Sequence, residues 1–194
     1  MLNGRAGRLL AVAASTVAVA GVAAATLGGG ALAKTSKTKG PRTAHATVVD
    51  AKGRHVGRVT FEQRRGSKIV TVSARVRGLP PGFHGFHIHG VGHCNHDGFD
   101  HAGSHLNPAG ATHPDHAGDL PVLLAQRNGR AVASFQTDRF SIGDLRDEDG
   151  SAVIVHEKPD NYANIPTDRY DPDPDEATLG TGDAGSRIAC GIVR

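Results

Sequence analysis

From Ala44 onward, short segments of alternating apolar and polar residues are separated by turn residues. The clearest segment covers residues 70–76. Its apolar positions are Val70, Val72, Ala74 and Val76. Because side chains of a strand alternate between two faces, this pattern is typical of a half-buried antiparallel strand. Asn128-Gly129, which lies between two further segments of this kind, predicts a tight hairpin.

The same pattern predicts eight strands. They cover residues 44–49, 58–62, 70–77, 83–89, 121–126, 131–136, 152–156 and 188–193. Residues 90–119 and 157–186 lack a strand pattern, and loops this long inside a compact domain are usually functional. The acidic run 171–176 is interpreted as solvated loop, and no long helix is predicted. The predicted fold class is all-β: an eight-stranded antiparallel Greek-key β-sandwich or barrel with two long functional loops.

The N-terminal segment has a different composition. Arg5 and Arg8 precede an apolar run over residues 9–27, and Ala31-Leu32-Ala33 provides a small-x-small cleavage site. This arrangement predicts a secretory signal peptide over residues 1–33, with an uncleaved membrane anchor as the alternative. The run is rich in Ala and Gly, which favours cleavage. We therefore expect an exported protein (secreted, periplasmic or in the cell envelope) with no stable membrane insertion after cleavage.

The charge balance of the remaining chain is nearly neutral. Residues 1–33 contain two of the 22 Lys and Arg residues and none of the 19 Asp and Glu residues, so the rest carries a formal net charge of +1. Nothing in this balance favours nucleic acid as a partner. Residues 34–43 are assigned to a flexible basic tail and residues 44–194 to one folded domain. Two cysteines, Cys94 and Cys190, in an exported chain predict one disulfide.

Histidine is concentrated in one part of the sequence: nine of the twelve histidines lie between His84 and His116. His87 and His89 are two residues apart on a predicted strand, so both side chains project from one face and can chelate one metal ion. Ile88 faces the opposite side, toward a core. His84 points away from the shared face and is interpreted as structural. Since histidine is the commonest metal ligand among side chains, the cluster predicts a metal site.

Five motifs carry a resemblance to a known family. They are Gly82–His89 (GFHGFHIH), Ala102–Pro108 (AGSHLNP), His116–Asp119 (HAGD), Val155–Lys158 (VHEK) and Gly182–Gly191 (GDAGSRIACG). In this order they resemble the copper/zinc superoxide dismutase family, whose architecture is a β-sandwich. The resemblance covers residues 44–194. It implies an enzyme that converts superoxide anion to dioxygen and hydrogen peroxide by cycling copper between Cu(II) and Cu(I).

The resemblance also implies a centre with two cofactors, copper and zinc. The implied copper ligands are His87, His89, His105 and His156, and the implied zinc ligands are His105, His113, His116 and Asp119. His105 would bridge the two metals and carry a proton, and Arg187 would attract the anionic substrate. Asp160 would link a copper ligand to a zinc ligand. Cys94 and Cys190 match the family's disulfide.

The sequence departs from the family pattern in places. Only two residues separate His113 from His116, fewer than in the better-known eukaryotic members, and some related bacterial enzymes that lack a zinc ligand work with copper alone. All four zinc-ligand types are present here, which favours zinc. The acidic second loop lacks the lysine and paired glutamates of the eukaryotic guiding loop. His93, His96 and His101 are surplus to the family pattern and are interpreted as solvated, with weak metal capture as the alternative.

Two other functions fit the same ligands. One is a copper-binding or copper-buffering protein without turnover, and the other is a non-catalytic structural domain on this scaffold. The presence of Arg187 and of a bridging His105 argues against storage, which needs neither residue. The oligomeric state is left open between monomer and homodimer.

Overall fold

The computed structural model describes residues 40–169, 171 and 173–194. The predicted signal peptide and most of the predicted basic tail lie outside these residues. Within these residues the chain forms nine strands, one short α-helix and two 3-10 helices, Asp100–Ala102 and Asp144–Arg146. The strands and the α-helix are β1 Arg42–Asp50, β2 His55–Gln63, β3 Val70–Val76, β4 Gly82–His84, β5 Phe86–His89, β6 Leu123–Ala125, β7 Ala131–Thr137, β8 Ala152–His156, α1 Glu176–Thr181 and β9 Arg187–Ile192. The predicted all-β class is confirmed, but the predicted count of eight strands is wrong by one.

The strands form one antiparallel sheet that closes almost into a barrel. Their order is β4-β6-β7-β3-β2-β1-β9-β8-β5. The two ends of this order, β4 and β5, are consecutive in the chain. The sheet therefore curls until its two edge strands, β4 and β5, lie next to each other. These two strands contain His84, His87 and His89, so this histidine-rich segment lies where the barrel nearly closes.

Gly85 divides the segment that the sequence predicts as one strand. β4 pairs with β6, whereas β5 pairs with β8, so the chain changes partner between them. At the change, Gly85 N–H donates to the carbonyl of Lys158 (2.7 Å), and His156 N–H donates to the carbonyl of Gly85 (2.8 Å). A Cβ at this position would lie 2.7 Å from Cβ of Ala184. Only glycine fits the crossing without displacing a neighbour.

The inward side chains of the alternating strands fill the interior. In β3, for example, Val70, Val72 and Ala74 are fully buried and Val76 is 3% exposed. Ile88 belongs to the same core, as its position between two histidines predicts. The two histidines beside it are therefore held on a strand whose other face is packed in apolar side chains.

The free side of β5 is covered by the first long loop. His87 and His89 form bridges with Asp119 and His105, respectively. Between these bridges, Ile88 N–H donates to the carbonyl of Gly118 (2.9 Å), and Leu106 N–H donates to the carbonyl of Ile88 (2.8 Å). This loop is thus attached to the sheet by backbone hydrogen bonds as well as by its side chains.

The second long loop contains α1, which the sequence reading did not predict. Asp175 caps the N-terminus of the helix, and its carboxylate accepts a hydrogen bond from Thr178 N–H (2.8 Å). This hydrogen bond lowers the pKa of Asp175. Gly182 ends the helix in the left-handed conformation, with φ of 66°. Both are standard end signals, an Asp N-cap and a Gly C-cap, around a six-residue segment. Among the described residues, no helix is long and apolar enough to cross a membrane.

The predicted disulfide is present. It joins Cys94 in the first long loop to Cys190 in β9, with 5.7 Å between the Cα atoms and a sequence separation of 96. Cys190 is fully buried and packs with Phe99, Ala102 and Ile154. The disulfide therefore fixes the start of the loop against the last strand.

Replacing both Cys94 and Cys190 by serine should lower the free energy of unfolding by about 2–5 kcal/mol, because the long loop is no longer closed in the unfolded chain. Urea unfolding of the variant and of the original chain measures this difference. The matched control is the original chain in reductant, which should approach the variant, while the variant itself should not respond to reductant. Equal unfolding midpoints for all samples would contradict the prediction.

Candidate metal centre

Four histidines from three parts of the fold converge on one point. His87 and His89 come from β5, His156 from the end of the paired strand β8, and His105 from the first long loop. Each offers one ring nitrogen, and these four atoms lie within 4.8 Å of one another. All four residues are buried, none more than 6% exposed. Four imidazoles around one point suit a Cu(II) ion of tetragonal geometry.

A second group shares His105 with the first. It consists of His105, His113, His116 and Asp119, again with ligand atoms within 4.8 Å. The Nδ1 atoms of His105 and His116 are 3.3 Å apart. His113 Nδ1 lies 3.1 Å from an Asp119 oxygen. Ligands of a tetrahedral zinc ion at about 2.0–2.1 Å are separated by about 3.3 Å, so this spacing fits zinc. The two-residue interval between His113 and His116 does not prevent their convergence.

Backbone carbonyls fix the orientation of two rings in the first group. His89 Nδ1 lies 2.8 Å from the carbonyl oxygen of Gly103, and His156 Nδ1 lies 3.1 Å from that of Gly185. Because a carbonyl oxygen can only accept, each Nδ1 carries the proton. The Nε2 atom of each ring is therefore left with its lone pair facing the centre.

Asp160 fixes two further rings, one from each group. Its Oδ2 lies 2.7 Å from His87 Nε2, and its Oδ1 lies 2.8 Å from His113 Nε2. The Tyr162 N–H donates to the same carboxylate at 2.6 Å. Both imidazoles donate through Nε2, so both direct Nδ1 into their group. One carboxylate thus orients a ring in each group at once.

The hydrogen-bond inventory tests whether these residues fit metal ions. Among the described residues, six buried side-chain nitrogen or oxygen atoms have no hydrogen-bond partner, and five of them are histidine ring nitrogens. They are His87 Nδ1, His89 Nε2, His105 Nε2, His113 Nδ1 and His156 Nε2. Unpartnered buried polar atoms are costly and rare. Five of them, all aimed into the two groups, are explained if they bind metal.

Burial keeps the first group in the form that binds metal. It lowers the pKa of His156 to about 3, with nearby His87 adding to the effect, and it lowers the pKa of His89 well below its usual range. Burial also lowers the pKa of His87, although the Asp160 carboxylate partly offsets this. Neutral imidazoles have free lone pairs, so no proton has to be displaced from these three rings at neutral pH.

The second group has the opposite electrostatics. Burial disfavours the charged form of His113, but the nearby carboxylates of Asp119 and Asp160 outweigh it and raise the pKa to about 9. Burial likewise opposes ionisation of the two aspartates, yet their histidine partners hold both pKa values well below the usual range. Two buried carboxylates therefore face a point that favours positive charge, as a divalent cation would supply.

Arg187 lies beside the first group at the edge of an open cavity of about 650 Å³. His89, His105 and His156 also line this cavity. The guanidinium donates to the carbonyl oxygens of Phe99 and Gly103, both at 2.8 Å. These bonds hold a cation where an anion entering the cavity would meet it.

The remaining histidines lie outside both groups. His84 is buried, and its ring nitrogens lie 2.7 Å and 2.8 Å from the carbonyl oxygens of His156 and Pro80, so it supports the site without facing it. The surplus residues His93, His96 and His101 are exposed.

Two contributors were missed by the sequence reading. The Gly103 carbonyl accepts from both His89 and Arg187. It could not be found from residue type, because every residue has a carbonyl. Gly182, the first residue of the motif Gly182–Gly191, is the second contributor. A Cβ there would overlap the Asp160 carboxylate and lie 2.6 Å from His113 Nε2.

Replacing Gly182 by alanine should therefore disturb the second group. The left-handed conformation alone costs about 1–2 kcal/mol for alanine. Displacing Asp160 should weaken zinc binding by about 10–100-fold. Gly180→Ala is the matched control, because a Cβ there meets nothing within 4 Å and alanine favours the helix. Competition with a zinc chelator measures the affinity, and equal zinc affinity in the two variants would refute the prediction.

Comparison of the sequence with known proteins indicates the same family as the five sequence motifs. Residues 55–193 match the family described as copper/zinc superoxide dismutase. The sequence is 38% identical over 167 residues to a superoxide dismutase (Cu-Zn) of Mycolicibacterium paratuberculosis, covering 78% of this chain and 73% of the relative. It is 36% identical to an extracellular superoxide dismutase (Cu-Zn) of Onchocerca volvulus, covering 71% of this chain and 68% of the relative.

Solved structures resemble the fold as well. The clock protein EA4 matches with a TM-score of 0.62 and 30% identity, covering 80% of this chain and 95% of that one. A double mutant of a SOD-like protein from Bacillus subtilis matches with a TM-score of 0.61 and 29% identity, covering 76% and 95%.

Proposed function

The chain belongs to the copper/zinc superoxide dismutase family, and from this we propose that it converts superoxide to dioxygen and hydrogen peroxide at the two metal groups described above. The reaction consumes two superoxide anions and two protons. The observation that carries the proposal is the set of five buried histidine nitrogens without partners, all aimed into those groups.

We assign copper to His87, His89, His105 and His156, and zinc to His105, His113, His116 and Asp119. Copper would supply the one-electron oxidation of one superoxide and the one-electron reduction of the next. The protein supplies the geometry, the access and the protons. His89, His105, His156 and Arg187 line the cavity, so substrate can reach the copper group there; His116 of the zinc group lines the same cavity. His113 is buried, and its ring is enclosed by Asp119 and Asp160, as suits a structural zinc site.

His105 is proposed as the proton carrier. It belongs to both groups, with Nδ1 toward Asp119 (2.7 Å) and Nε2 unpartnered on the copper side. A proton held on Nε2 would lie at the wall of the cavity, within reach of the reduced product. The second proton needed for hydrogen peroxide would come from water in the same cavity.

Arg187 is proposed to bind superoxide and to raise its encounter rate. Its bonds to Phe99 and Gly103 fix the guanidinium, so little entropy is lost when an anion binds. A fixed positive charge in a concave site also attracts anions from solution. Glu176 of α1 lines the same cavity and opposes this attraction, so we place the steering on Arg187 and not on the acidic loop.

Copper buffering without turnover is the weaker proposal. A storage site needs ligands, but it needs neither a cation held at the mouth of the cavity nor a histidine shared by two groups. Both features are present in the arrangement of Arg187 and His105.

We further propose that the protein is exported and that residues 1–33 are its signal peptide. Two observations support export: the disulfide between Cys94 and Cys190, and the similarity to relatives named extracellular superoxide dismutases. N-terminal sequencing of the protein recovered outside the cytoplasm tests the cleavage site.

Metal analysis combined with a superoxide assay tests the function. The mature protein should bind copper and zinc in about equal amounts, and only the copper-loaded form should remove superoxide. Copper-loaded protein that is no faster than buffer with the same free copper would refute dismutase activity. Stoichiometric copper without turnover would instead support buffering.

A further inference from the structure

Two exposed histidines outside the metal groups lie side by side. The ring centroids of His93 and His101 are 5.1 Å apart, and the ring planes are inclined at 68°. Neither ring forms a hydrogen bond to another described residue, so the lone pairs of both are available. His93 precedes the disulfide-bonded Cys94, whereas His101 lies in the 3-10 helix Asp100–Ala102, and the fold brings the two side chains together.

The separation of the two rings fits one shared metal ion. Two imidazoles bound at about 2.0–2.1 Å, with an angle of about 90–110° at the metal, place their centroids about 4.5–5.2 Å apart. The rings within the two metal groups are 4.1–6.4 Å apart in the same measure. The exposed pair therefore has the spacing of rings that can share a metal.

The backbone around the pair is fixed before any ion binds. His93 precedes the disulfide-bonded Cys94, and its carbonyl lies 3.9 Å from Sγ of Cys190. His101 N–H donates to the side-chain oxygen of Asn95 at 3.3 Å. Folding has already ordered this part of the loop. A bound ion would therefore only have to order the two histidine side chains, which lowers the entropic cost of binding.

We propose that His93 and His101 form a third metal site, separate from the copper and zinc groups, that takes Cu²⁺ at the surface. Two imidazoles and solvent oxygens are a donor set that divalent copper binds more strongly than zinc. No carboxylate or further histidine of the described residues completes a set of three with them. The site is therefore weaker than the two buried groups and exchanges its ion with solution.

The position of this site links it to the copper group. His101 lies in a 3-10 helix, Asp100–Ala102, and the carbonyls that flank this helix belong to Phe99 and Gly103. Those carbonyls hold Arg187, and Gly103 also holds His89. Copper bound at the exposed pair would therefore lie next to the segment that holds Arg187 and His89. This placement suits an exchangeable copper ion that is held next to the site that uses it.

Equilibrium dialysis against Cu²⁺, with copper counted per chain, tests the proposal. The metal-loaded protein should take up about one further Cu²⁺, and His93→Ala or His101→Ala should weaken that uptake at least about tenfold. His55→Ala and His96→Ala, which remove other exposed histidines, are the matched controls and should leave it unchanged. Electron paramagnetic resonance of the extra copper should show coupling to two nitrogens.

Either of two results would overturn the third site: no copper beyond the two buried groups, or extra copper that survives in both His93→Ala and His101→Ala. This test does not depend on dismutase activity, because it compares the number of copper ions bound per chain in the variants and in the original protein. Failure of the proposed function would appear in the superoxide assay and leave this count unaffected.

Discussion

His156→Ala should lower the rate of superoxide removal by more than about 100-fold. The substitution removes one of four converging imidazoles and leaves a cavity at the end of β8. Loss of a residue that merely orients a ligand typically costs about 10–100-fold in metal affinity or activity, so loss of a ligand itself should cost more. The rate is measured by the decay of superoxide after a pulse, with copper content determined on the same sample.

The matched control for this variant is His55→Ala, which removes an exposed histidine at the start of β2. It should keep full activity and full copper content. Zinc content should also persist in His156→Ala, because His156 is not in the second group. A His156→Ala protein that retains both copper and activity would show that the copper ligands have been assigned wrongly.

Arg187→Glu should lower kcat/KM for superoxide by about 10–1,000-fold, the range over which electrostatic steering changes association rates. The charge beside the cavity reverses, so the site should repel the anion that Arg187 is proposed to attract. The dependence on ionic strength gives the sharper measurement. Salt screens both effects, so the rate should fall with salt in the original enzyme and rise with salt in the variant.

Arg187→Lys separates charge from shape. Lysine keeps the positive charge but has no planar fork to donate to Phe99 and Gly103 together. It should keep the sign of the salt dependence while losing part of the rate. Copper content should be unchanged in both variants. If Arg187→Glu showed the same salt dependence as the original enzyme, the proposed role of Arg187 would be wrong.

The strands could be predicted from sequence because one of their faces is buried. In β3, four apolar side chains alternate with polar ones, and all four apolar side chains lie in the core. The alternating pattern therefore indicates which side chains of a strand are buried. It does not record pairing, so the order of the strands could not be obtained from it.

Two local features needed the tertiary structure. The apolar positions shift by one residue across Gly85, from Phe83 before it to Phe86 and Ile88 after it, but this shift does not show that β4 and β5 pair with different strands. Helix α1 begins at Glu176, the last residue of an acidic, proline-rich run that favours solvated loop. Its caps, Asp175 and Gly182, were visible in the sequence, but six residues are too few to show a helical period.

The metal groups were predicted only in part from chemistry. His87 and His89 follow from spacing on a strand, because residues two apart share a face. His105, His113 and His156 are separated from them by loops, and spacing cannot bring them together. For these residues the family resemblance supplied the prediction, and the structure supplies the contacts. The two carbonyls that orient His89 and His156 belong to glycines and left no signal in the sequence.

The closure of the barrel has a consequence for solubility. Open sheet edges offer unpaired N–H and C=O groups to other chains and so promote aggregation. Here β4 is only three residues long, and the free side of β5 is covered by Leu106 and Gly118 through bonds to Ile88. The loop that carries the metal-binding residues is thus also the cover of the sheet edge. Loosening this loop would uncover a template for strand addition, so metal loss and self-association should go together.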